Sequence, residues 1–389
     1  MDFHEKAVMP KGFSCLSKSC GVKADGSADL AVFHSDVLSN AAAVFTKNQV
    51  PGAPVIVGRE LIKKGQLQTI VVNSKVSNVG TGQEGIDNAK RMGAACAQAL
   101  SVESDAVLMS STGVIAVQLP IEKIEAGMSG IKNELQADPL IAAEGIMTTD
   151  THAKAISVSV GDATVTIVGK GAGMIEPNMA TMLVYIFTDA KIESVTLDQL
   201  LRRVVNKSFN MLSVDTDTST SDTVAILANG LAGSVDLTEF EKALESLCVA
   251  MTEMLARDGE GATKLLRAEI EGAVDEQEAK IYAKAIINSP LIKTMAFGAD
   301  PNIGRLLMAL GKCFSNSFDL NKLEMSVNDT LIYKDANKVD YDEDALRKDI
   351  SGDPVLFQIN LNLGAGEAVA YGCDLTHGYV DENAAYYSS

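Results

Sequence analysis

The chain of 389 residues is 47% hydrophobic and has a formal net charge of −18 at pH 7. This apolar content can bury a large core, and the length predicts a globular protein of two or three layered lobes. Because no block of Lys or Arg stands out, the composition argues against nucleic acid and an anionic membrane surface as partners, and it favours small cationic or zwitterionic ligands.

The first half of the chain is predicted to be rich in strands. A helix is predicted over residues 84–100, because apolar side chains recur there every three to four positions. Short β-branched or alternating runs predict strands at 53–57, 69–73 and 106–109, and a hairpin around Gly161-Asp162 with strands at 156–160 and 163–168.

The second half is predicted to contain longer helices over sheet. Thr196 is predicted to cap one helix, and Thr238 with Glu241 to form the capping box of a second. A third helix is predicted over 275–288. Strands are predicted at 182–187, where the run is buried, and at 322–327 and 356–361. This order predicts an α/β fold, a layered sandwich of mixed or antiparallel sheets covered by helices.

Cysteine and histidine positions predict no metal site. The six cysteines form no C-x-x-C pair, and the four histidines are scattered. We interpret Cys15 and Cys20 as ordinary thiols of a reducing compartment. The start of the chain lacks a basic region followed by an apolar run, and no apolar stretch reaches 18 residues. The cytoplasm is therefore the expected address, and neither a cofactor nor a metal is expected.

A loop before the strand at 182–187 places a hydroxyl at a chain position suited to self-cleavage. Gly171 and Gly173 allow tight turns, Pro177 cannot continue a helix, and the loop ends at Ala180-Thr181. If the Thr181 hydroxyl attacks the Ala180 carbonyl, hydrolysis of the resulting ester frees a chain that starts at Thr181. Its α-amino group, with a pKa of about 7.7–8.0, can serve as the base. A threonine entering a strand is more often structural, so the residues alone leave both interpretations open.

The segment from Lys170 to Leu183 resembles the self-cleavage signature of the ornithine acetyltransferase family, also called glutamate N-acetyltransferase, of arginine biosynthesis. The resemblance implies an α/β sandwich of the autoprocessed N-terminal-nucleophile type. It further implies an alpha chain of residues 1–180 and a beta chain of residues 181–389 that remain associated. Similar segments recur along essentially the whole chain, at 43–48, 111–115, 147–151, 215–223, 258–262, 300–305 and 379–384.

Attack on an amide builds negative charge on oxygen, so the site needs hydrogen-bond donors placed where that charge appears. Thr112-Gly113, directly after a predicted strand, offers a rotatable hydroxyl and a sterically open amide. The family resemblance implies that this pair forms the oxyanion hole, whereas the residues alone also fit an ordinary turn. Ala116 stands where the family commonly has glycine. We expect it to narrow the pocket wall and to leave both donors intact.

Substrate capture is predicted from charge and from the resemblance. Lys170 suits the α-carboxylate of an amino acid, and Glu260, flanked by glycines, can accept from an amine or move its proton. Both match substrate-binding positions of the family, although surface Lys and Glu are more often only solvated. Thr148 matches the family's substrate threonine, and the neighbouring Thr149 leaves open which hydroxyl points inward.

The end of the chain matches residues that close over the substrate in the family. Asn383 matches an asparagine, and Ser388 matches a terminal hydroxyl residue that is more often threonine. Glu382 replaces an apolar residue of the family pattern. Terminal segments are commonly disordered.

Two other motifs have weaker alternatives. Asp215-x-Asp217 suggests an aspartyl phosphotransferase or a calcium loop, but the glycine and glutamate that a calcium loop requires are absent. Gly169-Lys170-Gly171 lacks the spacing of a phosphate-binding loop. We interpret the hydroxyl-rich run 213–223 as structural support near the site.

The resemblance implies an enzyme that moves the acetyl group of N2-acetyl-L-ornithine to L-glutamate through acetyl-Thr181. Partners are then small amino-acid substrates, and two alpha and two beta chains form a heterotetramer. Alternatives are a bifunctional form that also uses acetyl-CoA, a related N-terminal-nucleophile amidohydrolase or aminopeptidase, and an uncleaved binding protein. The segment 73–82 and the run 215–218 depart from the commoner family versions and favour the ornithine-only branch.

Overall fold

A computed structural model of the chain describes residues 3–176 and 182–384. Three residues of the predicted site, Ala180, Thr181 and Ser388, lie outside the described residues. The described chain divides into two compact units. The first contains residues 3–171, 182–210 and 218–251, and the second contains residues 172–176, 211–217 and 252–384.

Strands and helices alternate along the described chain. The strands are β1 (Phe13–Lys18), β2 (Leu30–Phe45), β3 (Gln66–Asn73), β4 (Val107–Ser111), β5 (Lys154–Val160), β6 (Ala163–Lys170), β7 (Leu183–Ala190), β8 (Leu212–Ser213), β9 (Thr223–Gly233), β10 (Leu265–Ala273), β11 (Glu324–Val327), β12 (Thr330–Lys334), β13 (Asn337–Lys338), β14 (Val355–Asn360) and β15 (Gly366–Cys373). The helices are α1 (Ala53–Leu61), α2 (Gly82–Leu100), α3 (Ile121–Gly127), α4 (Pro139–Ile146), α5 (Ser194–Lys207), α6 (Leu237–Arg257), α7 (Glu276–Ile287), α8 (Pro290–Phe297), α9 (Gly304–Gly311), α10 (Glu343–Ile350) and α11 (His377–Ala384).

The first unit is built on a mixed sheet with the strand order β4-β3-β2-β9-β7-β6-β5, in which β1 also pairs with β2. Both faces of this sheet are covered. Along β2, Phe33 joins one apolar cluster while its neighbour Val32 joins another on the opposite face. The strand β7 is buried at every position, which explains its continuous apolar sequence. Tyr185 and Phe187 of β7 pack against Phe33, with ring centroids 5.3 and 5.1 Å away.

The second unit is built on a mixed sheet with the strand order β13-β12-β11-β14-β10-β15-β8. The central strand β10 runs parallel to β14 and antiparallel to β15. Helix α7 packs on β10 and β15 and buries Tyr282, Ile286 and Ile287. Asp275 caps this helix by accepting a hydrogen bond from the Glu278 N–H.

The predicted fold class is confirmed: two mixed sheets are covered by helices. The predicted helices at 84–100 and 275–288 correspond to α2 and α7. The predicted hairpin is β5–β6, joined at Gly161-Asp162, and Gly161 has the positive φ of 56° that such a tight turn requires. The other predicted strands, apart from 53–57, correspond to β3, β4, β7, β11 and β14.

The strand predicted at 53–57 is wrong, because these residues begin α1. Pro54 occupies one of the first two helical positions, where its missing N–H costs nothing. Gly58 then lets the helix lie close to the sheet, since a Cβ there would be 3.0 Å from Leu108 and 3.1 Å from Phe45. A short β-branched run does not by itself distinguish a strand from a buried helix.

Two predicted helix caps are also wrong. Thr196 lies inside the first turn of α5, whose N-cap is Glu193. Helix α6 is capped by Asp236, whose Oδ1 accepts hydrogen bonds of 2.9 Å from the N–H groups of Thr238 and Glu239. Glu241 instead forms an ion pair with an arginine of α5. The Asp236 carboxylate, two residues before Thr238, is the stronger acceptor, and a search for the capping-box pattern alone does not find it.

No helix within residues 3–176 and 182–384 is long and apolar enough to cross a membrane. The cytoplasmic address stays a prediction.

The assignment of the α6 cap predicts unequal effects of two neighbouring substitutions. Asp236→Ala removes the acceptor of two N–H groups and should lower the free energy of unfolding by about 1 kcal/mol. Thr238→Ala, the matched control, should change it by less than about 0.5 kcal/mol. Urea unfolding of both variants measures the difference. A larger loss of unfolding free energy in Thr238→Ala than in Asp236→Ala would contradict this assignment and support the capping box of Thr238 and Glu241.

Candidate active site

Two hydrogen-bond donors lie together after β4. The Thr112 N–H donates to the Asn73 carbonyl at 3.0 Å, and the Val114 N–H donates to the Lys75 carbonyl at 2.9 Å, so the backbone on both sides of Gly113 is fixed. Within the described chain, neither the Thr112 hydroxyl nor the Gly113 N–H forms a hydrogen bond. Two donors are thus held in place without an acceptor, as an oxyanion hole requires.

Only glycine can occupy position 113. Its φ of 126° lies outside the range that residues with a side chain favour. A Cβ there would lie 2.2 Å from the carbonyl carbon and oxygen of Lys75. The glycine therefore allows the backbone at position 113 to lie close to the backbone of Lys75, and its own N–H remains available to donate.

Ala116 adopts a backbone conformation that glycine takes more easily than a residue with a side chain. Its φ is 61°, in the left-handed region, which costs a residue with a Cβ about 1–2 kcal/mol. Its N–H still donates to the Val79 carbonyl at 2.9 Å. That Ala116 leaves both donors at Thr112 and Gly113 intact stays a prediction.

Lys170 and Thr148 come together in the first unit. Lys170 ends β6, and its Nζ lies 3.3 Å from the Thr148 hydroxyl oxygen. Both side chains are partly exposed. The Thr148 hydroxyl therefore contacts Lys170.

A buried carboxylate that the sequence analysis did not select organises this part of the first unit. Asp150 accepts hydrogen bonds from Lys154 Nζ at 2.8 Å, from the Gly171 N–H at 2.7 Å and from the Thr148 N–H at 3.2 Å. Burial alone would raise the pKa of Asp150, but the charges of Lys154 and Lys170 together with these hydrogen bonds hold that pKa below its usual value. Asp150 thus fixes the backbone at Thr148 and directly after Lys170. The feature of the sequence that could have indicated this pair is the spacing of four residues between Asp150 and Lys154.

Glu260 and Asn383 come together in the second unit. Asn383 Nδ2 donates to Glu260 Oε2 at 2.7 Å, and the Glu260 N–H donates to the Ala172 carbonyl at 2.8 Å. Gly173 leaves room for this carboxylate, because a Cβ there would lie 2.2 Å from the Glu260 carboxylate carbon. The carboxylate is therefore packed against the backbone of the segment 172–176.

The loop that carries Glu260 also fixes the helix that carries Asn383. Gly261 has a φ of 66°, and a Cβ there would lie 2.3 Å from the Tyr379 backbone nitrogen. Thr376, just before α11, donates its hydroxyl to the Gly261 carbonyl at 2.6 Å. Glu382, the departure from the family pattern, is exposed on α11.

Burial disfavours the thiolate form of the cysteines. None of the six cysteines forms a disulfide. Burial raises the pKa of Cys15, Cys20 and Cys96 to about 12, and burial also raises the pKa of the other three. A thiol acts as a nucleophile only as its thiolate. Among the described residues, no group of three or more His, Cys, Asp or Glu could hold a metal ion.

Comparison with known proteins gives matches over nearly the whole chain. The ArgJ family model matches residues 14–388. The arginine biosynthesis bifunctional protein ArgJ 2 of Clostridium acetobutylicum is 46% identical over 381 residues, which cover 97% of this chain and 98% of that protein. The glutamate N-acetyltransferase Oat2 of Streptomyces clavuligerus is 41% identical over 385 residues, covering 97% and 98%.

A solved structure is similar as well. The crystal structure of the arginine biosynthesis bifunctional protein argJ from Bacillus halodurans is 37% identical and has a TM-score of 0.50. It covers 52% of this chain and 98% of that chain, so the crystallised chain is about half as long as this one.

The mixed sheets and their covering helices place this chain in the same class of α/β proteins as these arginine biosynthesis proteins. The chain belongs to the ArgJ family, because the family model and both relatives match nearly its full length. The resemblance found in the sequence motifs is thereby confirmed. The roles of the individual site residues stay predictions.

The buried pair Asp150–Lys154 should respond to substitution as a unit. Asp150→Asn or Lys154→Met leaves one buried charge without its partner and should each lower the free energy of unfolding by about 3–5 kcal/mol. The double variant should lose less than the sum of the two. Because the pKa of Asp150 is lowered in the folded chain, the contribution is present at pH 7 and is lost only as the pH falls through that lowered pKa.

Urea unfolding at pH 7 measures this cycle. Lys63→Met, which breaks an exposed ion pair with Glu60, is the control and should cause no measurable change. Additive losses in the double variant would show that the pair does not act as a unit.

Proposed function

We propose that this chain transfers the acetyl group of N2-acetyl-L-ornithine to L-glutamate through an acetyl ester on Thr181, giving L-ornithine and N-acetyl-L-glutamate. Membership of the ArgJ family makes the chain an acyltransferase of arginine biosynthesis. The structural observation that carries the mechanism is the pair of unoccupied donors at Thr112 and Gly113. Such donors stabilise the oxyanion that acyl transfer forms.

The active form arises by self-cleavage between Ala180 and Thr181. The Thr181 hydroxyl attacks the Ala180 carbonyl, the amide becomes an ester, and water releases an alpha chain of residues 1–180 and a beta chain of residues 181–389. The half-length Bacillus halodurans chain supports this step, since a cleaved relative would give a chain of that size. Burial raises the pKa of the Cys96 thiol to about 12, which also supports a hydroxyl rather than this thiol as nucleophile.

Acetyl transfer then proceeds in two half-reactions. The α-amine of Thr181 takes the hydroxyl proton, and the oxygen attacks the acetyl carbonyl of acetylornithine. Thr112 and Gly113 donate to the oxyanion, the carbon–nitrogen bond breaks, and ornithine leaves with that proton on its nitrogen. The amine of glutamate attacks the acetyl ester in turn and returns a proton to the Thr181 oxygen. No cofactor is consumed.

Substrate binding follows from charge. Lys170 binds the α-carboxylate that acetylornithine and glutamate share, and Thr148, whose hydroxyl contacts Lys170, adds a hydrogen bond. Glu260 accepts from the amine. Its carboxylate is kept in one orientation by Asn383. Ser388 contributes a hydroxyl by its match to the family pattern.

Acetyl-CoA is the second candidate donor. The Clostridium acetobutylicum relative is named bifunctional, whereas the Streptomyces clavuligerus relative is named a glutamate N-acetyltransferase. The sequence departures at 73–82 and 215–218 favour acetylornithine as the only donor. A related amidohydrolase would pass the acetyl group to water, and turnover would then not depend on glutamate.

The cleaved halves pair as alpha–beta units that form a heterotetramer.

Intact mass spectrometry of denatured protein tests the self-cleavage. Wild type should give two species of about 19 and 22 kDa, the 41.1 kDa of the whole chain divided in proportion to residues 1–180 and 181–389. Thr181→Ala should give one uncut chain, because it lacks the attacking hydroxyl. A single uncut wild-type chain would rule out Thr181 as the N-terminal nucleophile.

Steady-state kinetics test the acetyl-enzyme intermediate. Double-reciprocal plots of the transfer reaction should be parallel, and intersecting lines would rule out an acetyl-enzyme intermediate.

Replacement of the side-chain donor tests the oxyanion hole. Thr112→Val keeps the shape but removes the hydroxyl, and kcat should fall about 10²–10³-fold. Thr112→Ser keeps the donor and should retain most of the activity. The comparison uses steady-state kinetics on the fully cleaved fraction of each variant. Equal kcat values in Val and Ser variants would place the oxyanion elsewhere.

A further inference from the structure

The segment 172–176, which ends four residues before Ala180, is held by a carboxylate of the second unit. Asp215 Oδ2 accepts from the Met174 N–H at 2.6 Å, and Asp215 Oδ1 accepts from the Ile175 N–H at 2.8 Å. One side chain thus satisfies two successive backbone donors. Charge-assisted hydrogen bonds of this kind are shorter and stronger than neutral ones.

Backbone hydrogen bonds extend this attachment. The Val214 N–H donates to the Ile175 carbonyl at 2.7 Å, and the Glu176 N–H donates to the Asp217 carbonyl at 3.0 Å. Ile175 is completely buried. The segment therefore has a fixed position along the loop 214–217.

The side chain of Glu176 forms a second attachment. Asn288 Nδ2 donates to both Glu176 carboxylate oxygens, at 2.8 and 2.9 Å, and Ser213 donates to Oε2 at 3.3 Å. Lys284 Nζ lies 3.6 Å from Oε1. The last described residue before 177–181 is thus bound to α7 and β8.

Met174 shows that this geometry is imposed on the chain. Its φ of 56° lies in the left-handed region that residues with a side chain avoid. Its side chain is 43% exposed, so burial of that side chain does not explain the conformation. The hydrogen bond from its N–H to Asp215 does, and strain of this kind is typical of functional segments.

We propose that Asp215 is a positioning residue for self-cleavage: it fixes the backbone of Met174 and Ile175, in the described segment that precedes Ala180-Thr181 in the chain. The inference rests on the proposed self-cleavage. Attack of a hydroxyl on the preceding carbonyl depends on near-attack geometry, and a displacement of about 1 Å can slow a reaction about 10²-fold. Asp215 itself does not touch the reacting atoms.

The chemistry of the side chain makes the proposal specific. A carboxylate offers an acceptor oxygen to each N–H group. In Asp215→Asn only one oxygen remains, and the amide NH₂ faces the other N–H group. Asp217 is the matched control, because its side chain is exposed and its attachment to Glu176 runs through its backbone carbonyl.

The test follows cleavage of newly synthesised full-length chain in a cell-free translation, sampled over time by intact mass spectrometry. Wild type and Asp217→Ala should cleave at the same rate. Asp215→Asn should cleave about 10-fold more slowly and Asp215→Ala about 10²-fold more slowly. Equal rates in wild type and Asp215→Asn would overturn the proposal. Absence of cleavage in wild type would overturn the proposed self-cleavage itself.

The pH dependence of the wild-type rate gives a readout that a merely structural role would not change. Burial raises the pKa of Asp215, while the N–H groups of Ile175 and Met174 oppose the rise. Below that pKa the protonated side chain is a weaker acceptor, so cleavage should slow as the pH falls through it. Asp215→Asn should lack this fall.

The titratable groups around Asp215 are Asp217 on its own loop, Tyr379, whose hydroxyl lies 3.4 Å from Oδ2, and Cys373. Burial raises the pKa of Tyr379 and of Cys373, so neither titrates below neutral pH. If Asp215→Ala fails to fold, the cleavage rate of Asp215→Asn and the pH dependence of the wild-type cleavage rate still test whether Asp215 positions the chain for self-cleavage. A wild-type rate that stays constant from pH 7 down to about pH 4, the ordinary pKa of an aspartate, would overturn the proposal.

Discussion

Backbone N–H groups of the segment from Gly171 to Ile175 find their acceptors in two aspartate side chains, and the course of the described chain up to Glu176 depends on these bonds. Asp150 holds Gly171 in the first unit, and Asp215 holds Met174 and Ile175 in the second. An unpaired buried donor is costly, so each carboxylate both satisfies the backbone and fixes its path. The pKa of Asp150 is lowered and that of Asp215 is raised, because only Asp150 lies beside lysine charges.

Close packing of backbone explains the glycines of the site better than flexibility does. Gly113 lies against the Lys75 backbone, and Gly173 lies against the Glu260 carboxylate. In both places a Cβ would overlap a neighbour at 2.2 Å. The glycines therefore hold the functional groups at short distances, and the open donor at Gly113 follows from the same constraint.

Much of the fold was predictable where local pattern and burial agree. The run of β7 is apolar throughout because both faces of the strand are covered, and the spacing of apolar residues in α2 matches its buried face. Prediction failed at 53–57, where a short β-branched run became a helix because Gly58 and Pro54 suit α1. It failed again at the α6 cap, where the choice between Asp236 and Thr238 depended on which side chain reached the N–H groups.

The sequence by itself determined the family, the identities of Thr112, Gly113, Lys170 and Glu260 as candidates, and the position of the proposed nucleophile, because motifs of residue type and spacing are properties of the chain. Only the tertiary structure decided that the Thr148 hydroxyl contacts Lys170 and that Asp150 and Asp215 hold the backbone. These contacts join residues 21 to 41 positions apart in the chain. Local sequence carries no record of such pairs, since their geometry arises from the packing of strands and loops.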